Sequence, residues 1–342
     1  MHDYFRIIPF FFLLTSCVKD KPQTISLADV KMSEAKKVYV INEGGFGYGN
    51  ASVSLYDPGD DKVIEDLYKT QNTTDLGDVA QSLSHINNRF YVVVNNSNKI
   101  VVCDQNFKKV GQISGLGSPR YIQQVTNQKA YVSDYESNAI SVVNLNTFTK
   151  TGSILLSGWT ERMVMIYNKV FVTNIRRNYV YVINTLTDLK TDSMEVGINA
   201  ASLVLDKNDK VWVLSAGDKA NSVPGRLSKI NALTGEVEFS APFNSATTPS
   251  NLCLNKTKDT LYFLNSGVFR MAVNQTVLPV TPFIEKGSKN FYGLGVNPND
   301  YTIYVADALD YSQKSNVYIY TSMGEETRFF KAGVNANGFY FE

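Results

Sequence analysis

Lys129-Ala130-Tyr131-Val132-Ser133-Asp134-Tyr135-Glu136-Ser137-Asn138-Ala139-Ile140-Ser141-Val142-Val143-Asn144 is the stretch whose reading decides the fold. Apolar and polar residues alternate through 130–134 and again through 139–144, with a short polar segment between them, as two strands joined by a loop require. Around this pair, 121–125 reads as a first strand, 126–129 and 145–148 as turns, and 150–155 as a fourth strand. The central Ala130-Tyr131-Val132 recurs as Val38-Tyr39-Val40, Phe90-Tyr91-Val92, Val170-Phe171-Val172, Val211-Trp212-Val213, Leu261-Tyr262-Phe263 and Ile303-Tyr304-Val305. The middle aromatics step by 52, 40, 40, 41, 50 and 42 residues. A period near 40 built of short strands predicts an all-β fold, a seven-bladed β-propeller with one four-stranded blade per repeat.

The repeats are not identical. Blade four follows the same scheme, with 174–178 as its loop and 179–184 as its third strand. Longer central loops are expected at 43–51, 216–225 and 307–316. Insertions in blades one and five account for the two long steps without an eighth blade, and blade six is the least regular. Seven repeats need seven innermost strands, yet little before Val38 resembles one. Val334-Asn335-Ala336-Asn337-Gly338-Phe339-Tyr340-Phe341 does, so the C-terminal strand is expected to close blade one and remove an open sheet edge.

Composition agrees with a β-rich core: 44% of residues are hydrophobic, with 20 Tyr and 19 Phe against 2 Trp. Lys and Arg number 33, Asp and Glu 32, for a net charge of +1. No basic run or stripe is present, which argues against nucleic acid, whose phosphates demand clustered cations.

The N-terminus differs. Arg6 precedes the apolar run Ile7-Ile8-Pro9-Phe10-Phe11-Phe12-Leu13-Leu14, which is too short to span a bilayer and reads as a secretory signal over residues 1–16. Leu14-Thr15-Ser16-Cys17 resembles a bacterial lipobox, which would make Cys17 the lipidated residue and 17–37 a polar tether ahead of the propeller at 38–342. Lys19-Asp20 resembles the charged export signals of Bacteroidetes surface lipoproteins. The expected location is therefore the outer membrane, lipid-anchored and facing the cell surface, with a periplasm-facing anchor as the alternative. Cys103 and Cys253 fall in apolar runs of different repeats and read as small buried residues, not a disulfide.

Tyr39-Val40-Ile41-Asn42-Glu43-Gly44-Gly45-Phe46-Gly47-Tyr48-Gly49-Asn50-Ala51-Ser52-Val53 resembles a signature of YncE-like surface propellers of Bacteroidetes, in which an Asn-Glu-Gly phrase, a Gly-rich insertion and Asn-Ala-Ser follow one another. The best-defined members of that group are cobalamin-binding lipoproteins that cap a TonB-dependent outer-membrane transporter. The resemblance therefore implies a corrinoid ligand and a transporter partner, while other relatives imply other nutrients, a glycan among them.

Catalytic chemistry finds little support. With His2 in the signal, His85 is the one histidine left, and alignment places it at the far end of a first strand, away from the loop-rich face. Propeller lactonases, lyases and quinoproteins need metal ligands or acid–base partners. Asp57-Pro58-Gly59-Asp60-Asp61 lacks a calcium-loop spacing and reads as a solvated turn. The expectation is a non-enzyme without cofactor or metal.

A binding face remains. Loops between second and third strands, and those entering first strands, converge on one end of a propeller. Here they bring Phe46, Tyr48, Arg120, Tyr121, Tyr135, Trp159, Arg162, Arg176, Arg177, Phe291, Tyr292 and Tyr311. Rigid aromatics with a few guanidinium groups suit a large amphipathic ligand such as a flat corrinoid or an oligosaccharide. A scaffold for protein–protein interaction is the alternative.

Overall fold

The computed structural model describes residues 37–342, and over them the chain builds seven antiparallel four-stranded sheets arranged as the blades of a ring. Blade three consists of Pro119–Gln124, Lys129–Asp134, Ala139–Asn144 and Thr149–Leu155, each within two residues of its expected span. The secretory signal, Cys17 and all of the tether but its last residue lie outside the described residues.

Local chemistry explains the turns. Asn144, Asn184 and Asn231 each end a third strand, and their side-chain carbonyls accept backbone N–H groups two residues on, from Asn146 (2.8 Å), Leu186 (2.9 Å) and Leu233 (3.0 Å). This is an Asx turn, in which a side chain stands in for the missing ladder partner. The turn then needs a left-handed residue, supplied by Phe148, Asp188 and Gly235 at φ +56°, +56° and +80°. Asp57 works the same way, accepting from Gly59 N at 2.9 Å, so the acidic run after it is a turn.

Two expectations need correcting. The central loop of blade seven spans only 308–313, because the flanking strands Ile303–Asp307 and Lys314–Tyr320 run further than the pattern suggested. The 52-residue first step holds, besides the loop at 43–51, a helical turn at Leu67–Asn72 between blades one and two. Asp66 caps it through Lys69 N at 3.1 Å, and Leu67 and Tyr68 bury beneath it. Blade six is irregular as expected, its outer strand reduced to Ile284–Glu285.

Ala336–Phe341 pairs antiparallel with Val38–Asn42, in the register Val38 to Phe341, Tyr39 to Tyr340 and Val40 to Phe339. The last strand of the chain is thus the innermost strand of the first blade, and the ring is closed. Hydrophobic side chains collect in seven clusters, each shared by two neighbouring blades. The seven aromatic anchors lie within them, none more than 6% exposed. Each anchor therefore packs one blade onto the next, which is why the period was visible as an aromatic. Cys103 lies in the cluster between blades one and two, where burial pushes its thiol up to about 12. Neither Cys103 nor Cys253 is in a disulfide.

Candidate functional site at the channel mouth

The first strand of every blade is hydrogen-bonded on one side only, so seven free strand edges surround the ring axis. They enclose a channel of about 1010 Å³. Unpaired backbone N–H and C=O groups on such edges demand polar partners, so the channel is a place for water or a polar ligand.

At the loop end of this channel the register slips in all seven first strands. The residues passed over are Gln81 in blade two, Arg120 with Tyr121, Glu161 with Arg162, Ala201, Asn251 with Leu252, Tyr292, and Asn337 in blade one. A β-bulge bends its strand and re-aims a side chain. Repeated seven times, it sets a collar of mostly polar groups around the mouth.

The collar is knitted together. Arg120 Nε donates to Glu161 Oε1 at 2.7 Å, and Trp159 Nε1 donates to the same oxygen at 2.5 Å. Gln81 Nε2 donates to the Tyr121 hydroxyl at 3.2 Å. Across the ring seam, Glu43 accepts from the Tyr292 hydroxyl and from Asn337 Nδ2, both at 2.8 Å. Asn251 Nδ2 donates to the Tyr292 carbonyl. Burial raises the Glu161 carboxyl, and Arg120 and Trp159 oppose that by hydrogen-bonding its charged form. Burial, followed by the Glu43 charge, pushes the Tyr292 phenol upward, so Tyr292 is a fixed donor at neutral pH.

Above blades three and four lies a stack. Trp159 meets Tyr135 edge-on with ring centroids 4.2 Å apart. The Arg120 guanidinium stands 5.4 Å from the Trp159 ring and that of Arg176 stands 5.3 Å from the Tyr135 ring. Arg162 stands 4.7 Å from the Tyr121 ring. These are cation–π distances, and the guanidinium groups hold the rings at fixed angles beside the mouth.

The structure thus brings Arg120, Tyr121, Tyr135, Trp159, Arg162 and Arg176 into one group. Tyr292 joins the mouth from blade seven, with Tyr311 edge-on at 5.6 Å. Phe46 and Tyr48 stand apart on the Gly-rich loop of blade one, 77% and 82% exposed. That loop has a firm base, since Glu43 N and Gly44 N bond Asn335 O and Val334 O at 3.0 Å and Gly47 N bonds Asp78 at 2.9 Å. Phe291 packs between blades six and seven. Arg177 is exposed at a loop tip, with no ion pair among the described residues. His85 sits at the far end of its strand against Phe90 and Tyr340, with ring centroids 4.7 and 5.9 Å away, as expected.

Glu43, Gln81, Glu161, Asn251 and Asn337 were missed as site residues. A signal existed: in blades two to seven the collar residues fall nine to twelve positions before the aromatic anchor. Without the bulges in view, these positions read as ordinary strand.

The family described as domain of unknown function DUF5074 matches residues 36–342. The chain belongs to the DUF5074 family. No curated protein matches it in sequence. Among solved structures, this DUF5074 chain resembles a quinonprotein alcohol dehydrogenase-like protein of Bacteroides thetaiotaomicron. The identity is 14%, over 89% of this chain and 77% of that one, with a TM-score of 0.69. A functionally unknown protein of Desulfotomaculum acetoxidans is 12% identical over 89% and 98% of the two chains, with a TM-score of 0.68. The Cps50 (Swd1) β-propeller domain of Myceliophteria thermophila is 10% identical over 80% and 91%, at 0.64. At these identities the likeness shows the propeller fold alone.

Proposed function

We propose that this DUF5074 propeller is a non-catalytic capture protein. On this reading it is anchored through Cys17 to the outer membrane at the cell surface, and it takes a corrinoid for handover to a TonB-dependent transporter. The observation that carries the reading is the Tyr135–Trp159 stack, flanked by Arg120 and Arg176, beside the open channel mouth. Pre-set rings offer apolar faces at little entropic cost, and the free N–H groups of the guanidinium forks suit the amide rim of a flat macrocycle. The Asn42-Glu43-Gly44 phrase supports the same reading, because Glu43 ties the ring seam to the mouth through Tyr292 and Asn337.

Equilibrium dialysis of the purified full-length protein against a corrinoid, read by absorbance, tests this directly. Trp159→Ala and Tyr135→Ala should each weaken binding by about 1–3 kcal/mol, while Arg177→Ala leaves it unchanged. Absence of binding at micromolar protein sinks the corrinoid assignment. A second reading, a docking scaffold for another protein, is favoured by the exposed Phe46 and Tyr48 on their anchored loop. Phe46→Ser with Tyr48→Ser separates the two, since loss of a partner with corrinoid binding intact supports docking.

A further inference from the structure

The collar has one gap. Six blades place a polar side chain at the slip in their first strand, and blade five places Ala201. The gap lies between Arg162 of blade four and Asn251 of blade six. Arg162 lines the channel, makes no ion pair with any carboxylate among the described residues, and its guanidinium is hydrogen-bonded to none of them. Its charge opposes the burial that pushes the Cys253 thiol of blade six up to about 12, and it also favours the charged form of the neighbouring Glu161 carboxyl. At this end of the channel Arg120 also lines the wall, while Glu43 is engaged by Tyr292 and Asn337 and Glu161 by Arg120 and Trp159, which leaves the Arg162 guanidinium as the charge here without a hydrogen-bonded partner among the described residues. A half-buried cation in a narrow channel with low-dielectric walls attracts anions far more strongly than the same group on an open surface.

We infer that the channel mouth between Arg162 and Asn251, where blade five brings Ala201 and no polar side chain, is an anion subsite in which a carboxylate or phosphate group sits on the Arg162 fork. Planar guanidinium groups grip both anions through paired N–H donors. The Tyr121 ring holds the fork from behind. Arg120 spends only Nε on Glu161, so its Nη groups add to the field. The inference is independent of corrinoid capture, because it asks only for an anionic group and is read with small anions.

The test is calorimetric titration of the full-length protein with inorganic phosphate and, separately, with acetate, at constant ionic strength. Saturable binding of at least one is expected, and which one binds assigns the ligand chemistry. Arg162→Met, which keeps an apolar stem over Tyr121, should weaken it at least tenfold. Arg177→Met, on the same face, should leave it unchanged. Ala201→Leu, which fills the gap but retains both arginines, should also weaken it at least tenfold and stands in should Arg162→Met fail to fold. No saturable binding of either anion overturns the subsite. So does binding that survives both Arg162→Met and Ala201→Leu, or a loss in Arg177→Met equal to that in Arg162→Met.

Discussion

Glu161 shows how one side chain acquires its role from its surroundings. Nothing in the sequence singles out this residue beside Arg162. In the fold its side chain is 3% exposed and accepts from Arg120, forty-one positions earlier, and from Trp159. Removing one partner of a buried pair strands the other, so Glu161→Ala should cost about 3–5 kcal/mol in urea unfolding. Glu161→Gln, which retains an acceptor, should cost less. Cys103 carries a different expectation. With its thiol pushed up to about 12, the thiolate is on the order of one part in ten thousand at pH 8. A thiol reagent should therefore label Cys103 only when the protein is unfolded, and fast labelling of the native protein would place it elsewhere.

Strands and turns were legible to different depths. The third strand of blade three, Ala139–Asn144, came out residue for residue because alternation and Asn turns bound it on both sides. The helical turn Leu67–Asn72 did not, since six residues are too few for a helical period to show. The slips in the first strands are likewise invisible, being a relation between two strands. The seam strand carries a prediction of its own. A Cβ on Gly293 of blade seven would lie 2.7 Å from Ala336 O on the closing strand, and backbone cannot swing aside as a long side chain would. Gly293→Ala should lower stability by about 1–3 kcal/mol in thermal unfolding, whereas Gly152→Ala, whose added Cβ meets nothing nearer than Val142 Cβ at 3.8 Å, lacks that clash.

The ring holds together through seven equivalent interblade cores, so its weakest feature is the place where the chain ends meet. Deleting residues 334–342 takes the innermost strand from blade one and leaves Val38–Asn42 an open edge. It also removes Asn337, which donates to Glu43 at the mouth. The truncated protein should melt well below the intact one; an equal melting temperature would show that closure does not depend on this strand. On the cell, Cys17→Ala should release the protein from membranes without changing its fold, and protease added to whole cells should reach the native protein. Shielding until the outer membrane is broken would overturn the proposed surface location.

The sequence by itself determined the number of blades, the identity of the seven anchors and the use of the C-terminus as the closing strand. Those features are local or periodic: an aromatic between apolar residues, Asx turns and an orphan strand all carry their meaning within a few residues. Only the tertiary structure decided the mouth. It depends on bulges that re-aim one or two positions per blade, on a carboxylate buried by residues from another blade, and on an alanine where the other six blades carry a polar side chain. Such properties belong to distances between segments about forty residues apart, and one-dimensional order carries no trace of them until the ring is closed.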